Sequence, residues 1–182
     1  MKHKAWLMVP LLLLAGCRER AMPEAPVEPP KAEVERVDVP NPVSAQRADA
    51  AMLDRLKSAQ WTRHDCSLDK VDSAAPGAAL AKAYPHLLEG FLLGPDGAVA
   101  GDFVLVLKGK STMFTLPAAT GKSRPDVAVH FKNPGLLSAG FQLGASLADL
   151  AEGEYEVLFL VDEPKGWFFC ESGKRLHVID AE

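Results

Sequence analysis

The stretch Phe103-Val104-Leu105-Val106-Leu107-Lys108 decides the fold class. Phe103, Leu105 and Leu107 alternate with Val104 and Val106, so a strand here is apolar on both faces until Lys108. Such a strand belongs at the centre of a sheet, with material packed above and below it.

The chain on either side repeats the pattern. Strands are expected over 86–93, 112–116, 140–146, 155–161, 168–170 and 175–179, with one more from Cys66 to Val71. Gly94-Pro95-Asp96-Gly97 and Glu152-Gly153 supply turns between them. Short strands at this spacing, in a domain of about 120 residues, predict a mostly β fold: an immunoglobulin-like two-sheet β-sandwich over residues 61–182. A doubly wound α/β fold is disfavoured, because the crossover helices it needs are missing.

Two helices are expected. Ser123 can cap a short helix that starts at Arg124-Pro125-Asp126, presents Val127, His130 and Phe131 as a stripe, and stops at Asn133-Pro134-Gly135. It should cover one end of the sandwich. Earlier, residues 44–60 read as an amphipathic helix capped by Ser44, with Ala48, Ala51, Met52, Arg55, Leu56 and Ala59 on one face. A lone amphipathic helix is marginal in water, so it should dock on its own domain.

Before that helix lie Pro23, Pro26, Pro29, Pro30, Pro40 and Pro42. Each removes an amide donor and restricts its predecessor, so residues 17–43 should form a disordered, extended tether. Residues 1–16 begin with Lys2-His3-Lys4 and continue in an apolar run from Ala5 to Leu14. The run is too short to span a hydrocarbon core, which needs about 20 helical residues, and fits a signal peptide. It ends in Leu14-Ala15-Gly16-Cys17, which resembles the lipobox of bacterial lipoproteins. That resemblance implies cleavage before Cys17, acylation of its thiol and anchoring in the lipid bilayer. Arg18 in the next position implies the outer membrane in preference to the inner one, facing the periplasm or the surface.

The 182 residues carry 20 Lys+Arg against 24 Asp+Glu. Removing Lys2 and Lys4 with the leader leaves 18 against 24, a net −6. Nucleic acid, which needs a basic face, is not an expected partner. Of 3 cysteines, Cys66 and Cys170 remain after Cys17. In an exported chain an even remainder favours a disulfide, and neither Cys has the neighbours of a metal site.

Cys66-Ser-Leu-Asp69-Lys-Val71, Arg124-Pro125-Asp126-Val127-Ala128 with Phe131 and Pro134, Ala139-Gly140-Phe141, Leu150, Gly153, Tyr155 and Cys170 together resemble a small β-sandwich module of proteobacterial envelope proteins. In that group the module stands alone as an exported domain or is appended to polytopic membrane proteins, including glycosyltransferase-like ones. The resemblance spans residues 64–180 and implies the sandwich, the Cys pair and envelope glycan or protein partners. Gly90-Phe91 stands where such modules often have Gly-Trp.

No Gly-x-Ser-x-Gly elbow, phosphate-binding Gly loop or His-Glu-x-x-His pair occurs, and no cofactor is implied. His64, His86, His130 and His177 sit in different elements. Asp126 and His130, four apart, read as a helix cap and a packing residue sooner than as metal ligands. The guanidinium of Arg124 could hold a carboxylate or sugar acid, or pin a neighbouring loop. Trp61 and Trp167 could offer aromatic plates to a sugar. The expected function is that of a non-catalytic, membrane-anchored envelope lipoprotein that binds or modulates another envelope component. The alternatives are a glycan or small-ligand binder joining Arg124 to Trp61 or Trp167, and an enzyme whose site is not visible in sequence.

Overall fold

The computed structural model describes residues 39, 41–61 and 65–180. The leader, Cys17, Arg18, the tether prolines up to Pro40, and His64 lie outside the described residues. The chain forms β1 (Val43–Ser44), β2 (Gln46–Arg47), α1 (Ala50–Ser58), β3 (Gln60–Trp61), β4 (Cys66–Val71), β5 (Ala79–Ala81) and β6 (Pro85–Leu92). It continues through β7 (Asp102–Lys108), β8 (Met113–Ala119), α2 (Pro125–His130), a 3-10 turn (Pro134–Leu136), β9 (Gly140–Ser146), β10 (Gly153–Glu163) and β11 (Gly166–Ile179).

These strands make a two-sheet β-sandwich. The smaller sheet runs β1-β9-β6-β4, and the larger runs β2-β8-β7-β10-β11-β3, with β5 also on β11. The stretch 103–108 lies where its pattern puts it, inside the larger sheet between β8 and β10. Phe103, Leu105 and Leu107 face the smaller sheet and are buried, while Val106 is fully buried on the outer face with Leu158 and Leu160. That outer face is covered by α1 through Met52, Leu56 and Ala59. Between the sheets, Phe103, Phe141 and Phe159 pack with ring centroids 5.2–5.8 Å apart. Gly90 permits this packing: a Cβ there would stand 2.0 Å from the Ser67 carbonyl oxygen and 2.7 Å from the Phe141 ring.

Cys66 and Cys170 form a disulfide across the two sheets, with Cα atoms 6.4 Å apart and a sequence separation of 104. The expected pairing is therefore present.

Both helices differ from expectation at their starts. Ser44 does not cap α1, because residues 43–47 are committed to the sheets. Val43 and Ser44 pair in parallel with Ala145 and Ser146, whereas Gln46 and Arg47 pair antiparallel with Thr115 and Phe114. Ala45, 1% exposed, marks the crossing from one sheet to the other. The helix begins only at Ala50, where Asp49 accepts the Met52 amide at 2.7 Å. Val39, at 7% exposure, is already buried before this crossing, so the packed part of the chain reaches into the Pro-rich stretch.

In α2, Arg124 occupies the cap position and no side chain caps the helix, so Ser123 does not play that part. Asp126 is taken up by Arg124 instead. With Leu93, Leu136 and Ala139, Val127 forms a second apolar cluster against Phe91 and Phe131. The helix thus covers the outer face of the smaller sheet at Phe91, not an open end of the sandwich. The four shortest strands, β1, β2, β3 and β5, were outside the expected set. Two or three residues carry no readable period, and their partners alone define them.

A candidate binding groove at one end of the sandwich

Arg124 is fixed by its own domain. Its Nε and Nη2 donate to the two oxygens of Asp126 at 2.9 and 2.7 Å, and Nη1 donates to Asp69 Oδ2 at 2.7 Å. The guanidinium also lies 5.4 Å from the centre of the Phe91 ring. Asp69 reaches it because of a bulge in β4. Leu68 pairs with Gly90 and Lys70 with Glu89, leaving Asp69 as the extra residue. Hydrogen bonding to Asp126, more than charge, raises the Arg124 pKa, and the Arg124 fork lowers that of Asp126 to about 2. Arg124 therefore acts as a clasp joining α2 to the bulged edge strand, the structural alternative named above.

Trp61 and Trp167 lie on the other side of the sandwich. Trp61 pairs in register with Phe169 of β11, and Trp167 belongs to the apolar cluster on the outer face of the larger sheet. Arg55 of α1 sits 5.0 Å from the Trp167 ring, whereas Trp61 is 56% exposed. Arg124, against the outer face of the smaller sheet, joins neither of them. A single patch of Arg124 with Trp61 or Trp167 is not formed.

Nor do Asp126 and His130 converge on a metal. Asp126 is held by Arg124, His130 is exposed with its ring edge-on to Phe131, and no group of three His, Cys, Asp or Glu is placed to bind an ion among the described residues. Among the described residues the buried histidine is His86, at 6% exposure. Its Nδ1 lies 2.6 Å from Asp72 Oδ2 and its Nε2 3.0 Å from the Ala81 carbonyl oxygen, while Asp72 Oδ1 accepts the Leu87 amide at 2.7 Å. This couple pins the turn after β4, where Asp72 and Ser73 have φ of 50° and 68°, to β5 and β6. Sequence reasoning missed it, since the two residues are 14 apart and only the turn brings them together.

A concavity lies elsewhere, at the end of the sandwich where β7 turns into β8 and β9 into β10. It has a volume of about 1050 Å³. Phe114 and Tyr155, ring centroids 6.1 Å apart in an edge-to-face pair, form an apolar floor. The Tyr155 hydroxyl donates to the Ala151 carbonyl at 2.9 Å, which ties the β9–β10 loop to the floor; burial pushes its pKa up. Gly109 lets the β7–β8 turn approach the ring, for a Cβ there would lie 2.8 Å from it. The Gly109 amide donates to the Thr112 carbonyl at 2.9 Å and closes that turn.

The rim is charged in two distinct ways. Lys108, Glu156 and Arg175 stand in one row across β7, β10 and β11, with ion-pair distances of 3.1 and 3.5 Å, and Arg175 also reaches Glu154 at 3.4 Å. The Lys108 ammonium holds the Glu156 carboxyl below its ordinary range. Arg47 and Lys110, by contrast, have no ion pair among the described residues, nor has Asp149 of the β9–β10 loop. Beside Asp149, Glu152 accepts the Asp180 amide at 2.9 Å and its charge acts on Lys82.

The molecule is thus a two-sheet β-sandwich with a preformed groove at one end. No family model, curated protein or solved structure matches the chain.

Proposed function

We propose that this chain is a lipid-anchored envelope lipoprotein whose β-sandwich is a non-catalytic module that binds another envelope component. The anchor rests on the lipobox-like ending Leu14-Ala15-Gly16-Cys17 behind a basic start and a short apolar run. A cross-sheet disulfide suits a chain that folds outside the cytoplasm. The observation that carries the binding role is the end groove, with its aromatic floor and the rim charges Arg47, Lys110 and Asp149 that have no ion pair among the described residues. Binding is favoured over acid–base catalysis because the Asp72–His86 couple has both ring nitrogens engaged, leaving none to activate a hydroxyl. Arg18 directly after the Cys favours the outer membrane over the inner one for that anchor.

Metabolic labelling with palmitate tests the anchor. Label on the wild type and none on Cys17→Ala is the expected outcome; an unlabelled wild type overturns it.

A second reading, glycan binding, is favoured by one observation: the β3–β11 register sets exposed Trp61 beside Phe169 on the outer face of the larger sheet. Trp61→Ala should then abolish retention on envelope glycan without lowering the melting temperature; unchanged retention dismisses that role.

A further inference from the structure

We infer that the end groove takes an extended peptide that places an acidic and a basic side chain on either side of an apolar one, an inference that rests on the binding role proposed above. One wall is basic. Arg47 lies opposite Phe114 in the β2–β8 register, so its side chain leaves the sheet on the side of the floor, and Lys110 projects from the turn that Gly109 packs onto Tyr155. The β9–β10 loop supplies the acidic groups, Asp149 and Glu152, the latter already accepting the Asp180 amide. The Tyr155 ring, paired with Phe114, meets both the β7–β8 turn at Gly109 and the β9–β10 loop at Ala151.

The remaining rim charges, Lys108, Glu154, Glu156 and Arg175, already satisfy one another. What is left for a ligand is therefore the basic pair Arg47 and Lys110, the apolar floor, and the acidic β9–β10 loop, where Asp149 has no ion pair among the described residues and Glu152 is partly engaged. A polyanion such as a sulfated glycan meets Asp149 and Glu152 and is repelled; a polycation meets Arg47 and Lys110. A neutral glycan leaves Arg47, Lys110 and Asp149 unused. An extended peptide fits, because alternate residues project to the same side, so that positions i, i+2 and i+4 can meet the basic pair, the floor and the acidic loop. The volume of about 1050 Å³ is at the upper end of the range for a ligand site, enough for a few residues.

The test is selection from a random peptide display library on the full chain held in detergent. Enrichment of peptides with an acidic and a basic residue flanking an apolar one is expected. In anisotropy measurements, the affinity of a selected peptide should fall about tenfold or more in the Arg47→Glu/Lys110→Glu double variant. It should recover when the acidic residue of the peptide is changed to Lys, a rescue that a misfolded variant would not show. Selection without this charge pattern, unchanged affinity in the double variant, or no rescue overturns the inference, as does displacement of the peptide by heparin. Failure here leaves palmitate on Cys17 untouched, and an unlabelled Cys17 leaves the peptide result standing.

Discussion

Arg124 Nη1 donates to Asp69 Oδ2 at 2.7 Å, across 55 residues of sequence. The bond joins the start of α2 to the one residue of β4 that the sheet leaves unpaired, so a bulge and a helix start hold each other. Gly140 belongs to the same arrangement, because a Cβ there would lie 2.5 Å from Arg124 Cγ.

Arg124→Ala should lower unfolding free energy by about 1–3 kcal/mol, since it strands the partly buried Asp69 and removes the packing on Phe91. Arg124→Lys should recover only part of this, because one ammonium cannot reproduce the fork. Urea unfolding of the three proteins checks both expectations.

The same clasp sets an acid dependence. Asp126 has its pKa lowered from 3.8 to about 2 in the folded protein. Its contribution is therefore fully present above the unfolded value and is lost as pH falls through the folded one. Wild type should lose stability relative to Asp126→Asn between about pH 4 and about pH 2, and the two should run parallel above that window. Because Asp126 is exposed, the difference should be modest. Urea midpoints across this range measure it.

Helix capping gives a contrast between three small polar residues. Asp49→Ala should cost about 0.5–2 kcal/mol through loss of the bond to the Met52 amide. Ser44→Ala and Ser123→Ala should each stay within about 0.5 kcal/mol of wild type, because neither side chain caps a helix. Equal effects at all three would contradict the helix starts described above.

Gly90→Ala should be among the most damaging single substitutions, because its Cβ would meet the Ser67 carbonyl, a backbone atom that cannot swing away. A loss above about 3 kcal/mol, or failure to accumulate folded protein, is expected in thermal or urea unfolding.

Removing the disulfide with Cys66→Ser/Cys170→Ser should cost about 2–5 kcal/mol, and reduction of the wild type should have a similar effect.

Much of the fold was legible because its signals are local. The two-faced run 103–108, the turn at Gly94–Gly97 and the even cysteine remainder each mean the same thing wherever the neighbours lie. The start of α1 was misjudged because Ser44 is an acceptable cap by chemistry, and only pairing with residues 114–115 and 145–146 removes it from the helix. Arg124 stood out as a charged residue with a task, but its partner Asp69 depends on a bulge that no pattern announces. The groove was not legible at all. Its walls come from residues 45–47, 108–112 and 149–156, each of which reads as an ordinary strand end or turn. The one available signal was the Tyr155 ring close after Glu152-Gly153, which in hindsight ties that turn to the core.

The central claim, an anchored sandwich that engages an envelope partner through its end groove, is tested most directly by photo-crosslinking in intact cells. A photoreactive residue in place of Ser111, at the tip of the turn beside Lys110, should give a discrete covalent adduct with an envelope protein. The same residue in place of Trp61 should not, and the Ser111 adduct should disappear when Cys17 is changed to Ala. Absence of any adduct at Ser111, or an adduct at Trp61 alone, would contradict it.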